Sequence, residues 1–228
     1  MKKKPLVIAI DGPAASGKGL LAKNIAERLG MVYLDTGLLY RYVGEKVRES
    51  GRDVTLAQDA ASEVAGYAVK IAREEVHLED IYIRDLSSEE TGRAASIVSA
   101  LPEVRKALLD FQREIAGSPK GAVLDGRDIG TVVCPGADYK FFITASLESR
   151  ARRRFKQLQS MGKDVIYSTV LEDLRRRDER DMNRKVAPLI CAEGAVRIDT
   201  TDMAPEEVLG RVLKTITSPA AKTDRMGS

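Results

Sequence analysis

Residues 12 to 19 read Gly12-Pro13-Ala14-Ala15-Ser16-Gly17-Lys18-Gly19. Two glycines separated by four residues, the second followed by lysine, give the core spacing of a loop whose backbone N–H groups converge on a phosphate. The glycines let the chain curl, the helix that follows adds its positive end, and Lys18 has the reach to meet β- and γ-phosphates. By composition, a bare match of this kind arises by chance about 0.1 times in such a chain. One departure is visible. The hydroxyl that most such loops place after the lysine for magnesium is absent, because the next residues are Gly19 and Leu20. Magnesium would therefore be held through phosphates and water, with Ser16 or the strand-end carboxylate Asp125 as partners.

The rest of the chemical inventory points the same way. One histidine, His77, and two cysteines, Cys134 and Cys191, cannot complete a four-ligand zinc site without carboxylates, and they do not make a disulfide framework. Lysine, arginine, carboxylates and backbone dipoles remain, which suits phosphate chemistry. The net charge is only +3, yet residues 150 to 185 hold 12 Lys or Arg against 6 Asp or Glu. Four arginines fall within Arg150-Ala151-Arg152-Arg153-Arg154, and helical periodicity forbids all four from facing one site, so at least one faces solvent. His77 reads as an exposed strand residue, and both cysteines read as bystanders.

The elements that must position these groups follow from the apolar pattern. At 228 residues the chain is expected to form one compact domain over residues 5–216. Pro5 to Ile10 is a buried parallel strand, the glycine loop follows, and Leu20 to Leu29 has helical spacing up to Gly30. A second strand, Met31 to Leu34, precedes a helix from about Leu38 to Glu49. This βαβα opening predicts an α/β fold with a parallel sheet between helices. Helix is expected from about Leu56 to Ala72, then a small hairpin pairing Glu75 to Leu78 with Ile81 to Arg84. Further helices are expected at 88–99 and 102–116, strands at 122–124 and 140–144, helices at 149–159 and 169–184, a strand at 195–198 and a helix at 205–216. Residues 218–228 carry no periodicity and read as a flexible tail. The N-terminal apolar run ends at Asp11, too soon for a secretory signal, and no stretch has the length of a membrane span, so a cytoplasmic location is expected.

Four further segments carry a resemblance. They are Ile10-Asp11-Gly12-Pro13; Leu34-Asp35-Thr36-Gly37-x2-Tyr40-Arg41; Asp125-Gly126-Arg127-Asp128-Ile129-Gly130-Thr131-Val132-Val133; and Arg177-Asp178-x-Arg180-Asp181-x-Asn183-Arg184-x-Val186-Ala187-Pro188-Leu189. With the Gly-Lys-Gly ending of the loop, they resemble the bacterial cytidylate kinases, nucleoside monophosphate kinases of the P-loop NTPase type, over about residues 5–216. The resemblance implies transfer of the γ-phosphoryl group of ATP to CMP and dCMP, with Mg2+. It implies an inserted monophosphate-binding region at about 38–100 and a lid at about 150–163.

Residue by residue, it places ATP on Gly12, Pro13, Ala14, Ala15, Ser16, Gly17, Lys18, Gly19 and Leu20, with Arg150, Arg153 and Arg154 closing over it. Thr36, Arg41 and Arg127 would hold the acceptor phosphate. Ser96 and Asp128 would accept from the cytosine amino group, and Arg105 would donate to the ring. Asp181 with Arg177 would take the ribose, and Arg184 would reach the phosphates. Lys18, Arg127, Arg153 and Arg184 form the implied catalytic set. Leu20 departs from the family, which usually has Thr or Ser there, and the hairpin around Glu79-Asp80 looks shorter than in some members. The expected state is a monomer, without membrane or nucleic-acid partners. The contrasting reading is a nucleic-acid module built on the basic stretch, but Glu172, Asp173, Asp178, Glu179 and Asp181 interrupt any continuous cationic track.

Overall fold

The computed structural model describes residues 4–56, 61–73 and 75–218. At its centre β1 (Val7–Asp11), β2 (Val32–Asp35), β3 (Ala122–Gly126), β4 (Tyr139–Thr144) and β5 (Val196–Asp199) form one sheet in the order β2-β3-β1-β4-β5. All four pairings are parallel. Parallel neighbours need a crossover that lies on a sheet face, so helices cover both sides.

That covering explains the unbroken apolar run in β1. Ile8 and Ile10 pack with Leu21 and Ile25 of α1 (Lys18–Leu29) and Val208 and Val212 of α9 (Pro205–Thr217). Ala9, on the other face, packs with Leu34 and Leu124 and with Ala116 of a helix described below. All three β1 residues are fully buried.

Beyond the sheet, α2 (Thr36–Glu49), α3 (Ala61–Ala72), α5 (Glu89–Val98) and α6 (Pro102–Ala116) surround their own core, which includes Val43, Val47, Ala68, Ile71, Val98 and Leu108. The α2 and α5 backbones approach closely at Gly44, where a Cβ would come within 2.8 Å of the Ala94 Cβ. A third body is the helix pair α7 (Leu147–Ser160) and α8 (Tyr167–Asn183). It packs through Ala151, Leu158, Val170 and Leu174 onto Ala14 of the glycine loop.

One predicted element is corrected. The segment expected to pair as a hairpin contains instead a short helix, α4 (Leu78–Tyr82), so His77 is exposed just before a helix rather than on a strand. The sequence alternates as a strand does, but burial does not follow: Ile81 is fully buried while both Tyr82 and Ile83 are exposed. Glu79 and Asp80 lie in the first turn, where the helix dipole favours them. The helix expected from Leu56 is described from Ala61, after a 3-10 turn at Val54–Leu56. The predicted tail lies, past Ser218, outside the described residues. Among the described residues, no helix is long and apolar enough to cross a membrane.

The end of β1 is locked from across the sheet. Asp11 accepts 2.8 Å hydrogen bonds from the backbone N–H groups of Ile129 and Gly130, at the start of a wide π-helical turn, Ile129–Val133. Burial outweighs these bonds and pushes the Asp11 carboxyl up to about 6 from 3.8. Between those pH values the native state keeps a proton that the unfolded chain has released, so stability falls as pH rises through the window. The full effect is roughly 3 kcal/mol, at 1.36 kcal/mol per unit. Asp11→Asn should lack this slope. Urea denaturation at pH 4 and pH 7 should show the variant gaining on the unaltered protein by about that amount.

Candidate active site

The glycine loop connects β1 to α1, and its backbone has the curl that the sequence predicts. A Cβ on Gly12 would come within 2.0 Å of the Ile143 carbonyl oxygen, so only glycine fits against β4. Gly17 caps α1 at φ 88, in the left-handed region. Ala15 adopts φ 58, a strained choice for a residue with a Cβ. Inside the loop the Ser16 hydroxyl is buried and has no hydrogen-bond partner. The Lys18 ammonium donates to the Pro13 carbonyl at 3.2 Å.

From the loop a channel of about 460 Å³ runs between the sheet and the α7–α8 pair. Its walls are residues 14–20, Asp35, Gly37, Arg41, Asp125, Gly126, Arg127, Arg153, Arg154, Gln157 and Arg177. Burial pushes Lys18 down, with the nearby Arg127 adding to the fall, and pushes Asp125 up, with Asp35 adding to the rise. Asp125 accepts a 2.9 Å hydrogen bond from the Tyr33 hydroxyl. Thr36 donates to the Asp125 carbonyl at 2.8 Å, joining the start of α2 to β3. At the far wall Arg41 and Arg177 converge on Gly92 of α5, whose Cβ, if present, would lie 3.2 and 3.3 Å from their guanidinium nitrogens. Arg41 donates to the Leu86 carbonyl at 2.6 Å. Arg177 has its Nε buried without a partner, and burial with Arg127 and Arg41 nearby lowers its pKa.

A smaller pocket adjoins the channel and shares Gly37, Gly126, Arg127 and Arg177 with it. The protein's own ion pairs fill it. Arg105 and Arg184 both bridge to Asp128, the latter at 3.3 Å. Arg127 meets Asp181 at 2.9 Å, and Asp181 also accepts from Ser96 at 3.2 Å. Arg105 lies over the Tyr40 ring and donates to the Ser99 carbonyl. About 40 Å³ remains, room for a few waters. On the opposite side of the loop an apolar slot of about 170 Å³ lies against Leu20, Leu21, Ile143, Met203, Pro205 and Val208, with Arg153 across it.

The arginine run splits as helical spacing requires. Arg152 is exposed. Arg150 is buried behind the loop, paired with Asp178 at 2.6 Å and donating to the Ala14 and Ala145 carbonyls, so it lines neither cavity. Arg153 is held by Thr200 and Thr201 oxygens, and Arg154 by Glu89 at 2.7 Å and the Ser87 carbonyl. Arg184 sits in the small pocket rather than the channel. Gly12 and Pro13 shape the loop from behind. Sequence reasoning gave no site role to Tyr33, Asp35 or Arg180, although the latter two lie in the quoted segments; Arg180 donates to Ser96 at 3.2 Å. Asp35 also carried a local signal, as the helix cap that accepts from Leu38 N–H. Among the described residues no group of three or more His, Cys, Asp or Glu is gathered for a metal.

Residues 8–218 match the family described as cytidylate kinase. The chain is 51% identical to the cytidylate kinase of Paramagnetospirillum magneticum, covering 93% of this chain and 98% of the relative. It is 50% identical to that of Rhodospirillum rubrum, over 96% and 100%. An uncharacterized protein from Eubacterium ventriosum shares the fold at 15% identity and a TM-score of 0.51, covering 93% of this chain and 99% of the other.

The small pocket's arrangement has a direct consequence for stability. Asp128→Ala would leave Arg105 and Arg184 facing each other without their shared anion, and should destabilise the protein by about 3–5 kcal/mol. Urea denaturation measures this, and Arg105→Met in the same background should recover part of the loss.

Proposed function

The chain belongs to the cytidylate kinase family, and we propose on that premise how its two adjoining cavities divide the reaction. The family phosphorylates CMP with ATP, and this protein is an ATP-dependent nucleoside monophosphate kinase. The observation that carries our assignment is the shared boundary. Arg127 and Arg177 line both cavities, so the donor's γ-phosphate and the acceptor's phosphate would meet between them.

In this reading the channel takes the ATP phosphates on the backbone of residues 14–19 and Lys18, with Arg154 at the wall. The apolar slot takes the donor base, and Arg153 spans both. The small pocket takes the monophosphate nucleotide. Thr36, Arg41 and Arg127 hold its phosphate, guanidinium forks being suited to that oxygen set. Ser96 and Asp128 accept from the cytosine amino group and Arg105 donates to the ring. A uracil carbonyl would face acceptors there and lose the match. Arg184 keeps Asp128 in place, while Asp181 and Arg177 meet the ribose. dCMP, lacking one hydroxyl, remains a substrate through its base and phosphate. To enter, the nucleotide replaces internal ion pairs with its own charges.

An acceptor phosphate oxygen attacks the γ-phosphorus in line, and the bond from that phosphorus to the bridging oxygen breaks to release ADP. No general base is needed, because a phosphate monoester is largely ionised near neutral pH, its second pKa being about 6. The chain's task is to orient two polyanions and neutralise charge as it moves. Lys18 and the arginines do that. Mg2+ fits the remaining donors: the unpartnered Ser16 hydroxyl and the Asp125 carboxylate are the hard oxygen groups that ion prefers, directly or through water. When bound with ATP it would supply further charge neutralisation. Both pockets come from one chain, so a monomer suffices, and within the segment at about 150–163 the lid role falls to the residues after Arg150, which is anchored behind the loop.

ADP release measured across CMP, dCMP, UMP and AMP tests this reading. CMP and dCMP should turn over, and UMP and AMP should be at least about 100-fold slower in kcat/KM. Equal turnover of UMP would remove the roles given to Ser96, Arg105 and Asp128. Lys18→Ala should lower kcat by about 100-fold or more with an unchanged circular dichroism spectrum.

A further inference from the structure

The loop has no side chain at Gly19, yet the fold brings a hydroxyl to that place from another element. A Cβ on Gly19 would stand 3.7 Å from the Tyr33 hydroxyl oxygen and 3.8 Å from Asp125 Oδ2. Tyr33 pairs in register with Val123, so Asp125, two residues further along β3, projects from the same sheet face. The Tyr33 hydroxyl donates to Asp125 Oδ1 at 2.9 Å, which leaves Oδ2 turned toward the first turn of α1 beside Lys18.

We propose that Tyr33 is a positioning residue: its hydroxyl fixes the Asp125 carboxylate so that Oδ2 can receive a water of the nucleotide-bound magnesium, from the neighbouring strand, at the place where Gly19 offers no oxygen. This rests on the kinase reading only in taking a metal–nucleotide as the donor. A purely structural tyrosine, tying β2 to β3, would affect nucleotide binding equally with and without metal. A positioning tyrosine affects only the metal-dependent part.

Calorimetric titration of the full chain with ADP, in magnesium and in EDTA, separates the two. Tyr33→Phe removes one oxygen and keeps the ring. It should lower the magnesium enhancement of ADP affinity about tenfold, as loss of an outer-shell partner of a bound metal does, while affinity in EDTA stays within about twofold. Asp125→Asn should lose the enhancement too, and the double variant should be no worse than the poorer single one. Gly19→Ser in the Tyr33→Phe background should restore part of the enhancement. An unchanged enhancement in Tyr33→Phe, equal losses in magnesium and EDTA, or additive effects of the two substitutions would overturn the proposal. The kinase reading fails separately: a protein that does not phosphorylate CMP but shows these binding results would keep the Tyr33 assignment and lose the substrate.

Discussion

Buried positive charge that the protein does not fully compensate is the constraint on which the rest of the molecule depends. Lys18, Arg41, Arg127, Arg153, Arg154 and Arg177 line one channel, and the carboxylates on the same wall are Asp35 and Asp125. Taking a cation out of water is expensive unless an anion or a set of carbonyls replaces the solvent. Backbone oxygens do part of that work: the Pro13, Leu86, Ser87 and Thr201 carbonyls accept from Lys18, Arg41, Arg154 and Arg153 respectively. Arg177 keeps a buried Nε with no partner. A site in this condition gains more from a polyanion than from water. Burial, with Arg127 close to both, lowers Lys18 and Arg177.

Holding like charges together needs a rigid frame, and the three packed bodies supply it. The ends of β1, β2 and β3 bring the glycine loop, Asp35 and Asp125 to one edge of the sheet. Helix α5 approaches at Gly92, where a side chain would crowd Arg41 and Arg177. The α7–α8 pair is fastened behind the loop by Arg150, which joins Asp178 of α8 to the carbonyl of Ala14. Arg150 thus belongs to the frame, and its neighbours Arg153 and Arg154 face the channel from the same helix.

In the small pocket the balance differs, and so does the way selectivity arises. Asp128 and Asp181 answer Arg105, Arg127 and Arg184, and the space between them is nearly closed. These groups form a ready set of donors and acceptors that are satisfied among themselves. In the proposed reading a nucleotide gains only the difference between its own contacts and those it displaces. A base with the wrong pattern then breaks ion pairs and returns nothing. That penalty is stronger discrimination than an empty apolar pocket could give, because it leaves buried polar groups unpaired.

How much of this could be read from the chain depends on how local the signal is. The phosphate loop, the strands before and after it and the arginine run are set by neighbours within a turn or two, and their positions follow from spacing. Alternation failed at residues 75–84, where a single helical turn buries Ile81 and leaves Tyr82 and Ile83 outside, a pattern that period two does not distinguish over so few residues. The Asp11 lock on Ile129 and Gly130 spans more than a hundred residues, and nothing near Asp11 announces it. Tyr33 is the sharper instance. By itself it is one more aromatic residue in a short apolar strand, and Gly19 by itself is an omission from a motif. Only the parallel register, which sets Tyr33 against Val123 and hence two residues before Asp125 on the same face, makes the omission and the tyrosine parts of one arrangement. A motif records which atoms a loop supplies itself; the sheet register determines which atoms are supplied to it, and a departure from the motif is understood only when both are known.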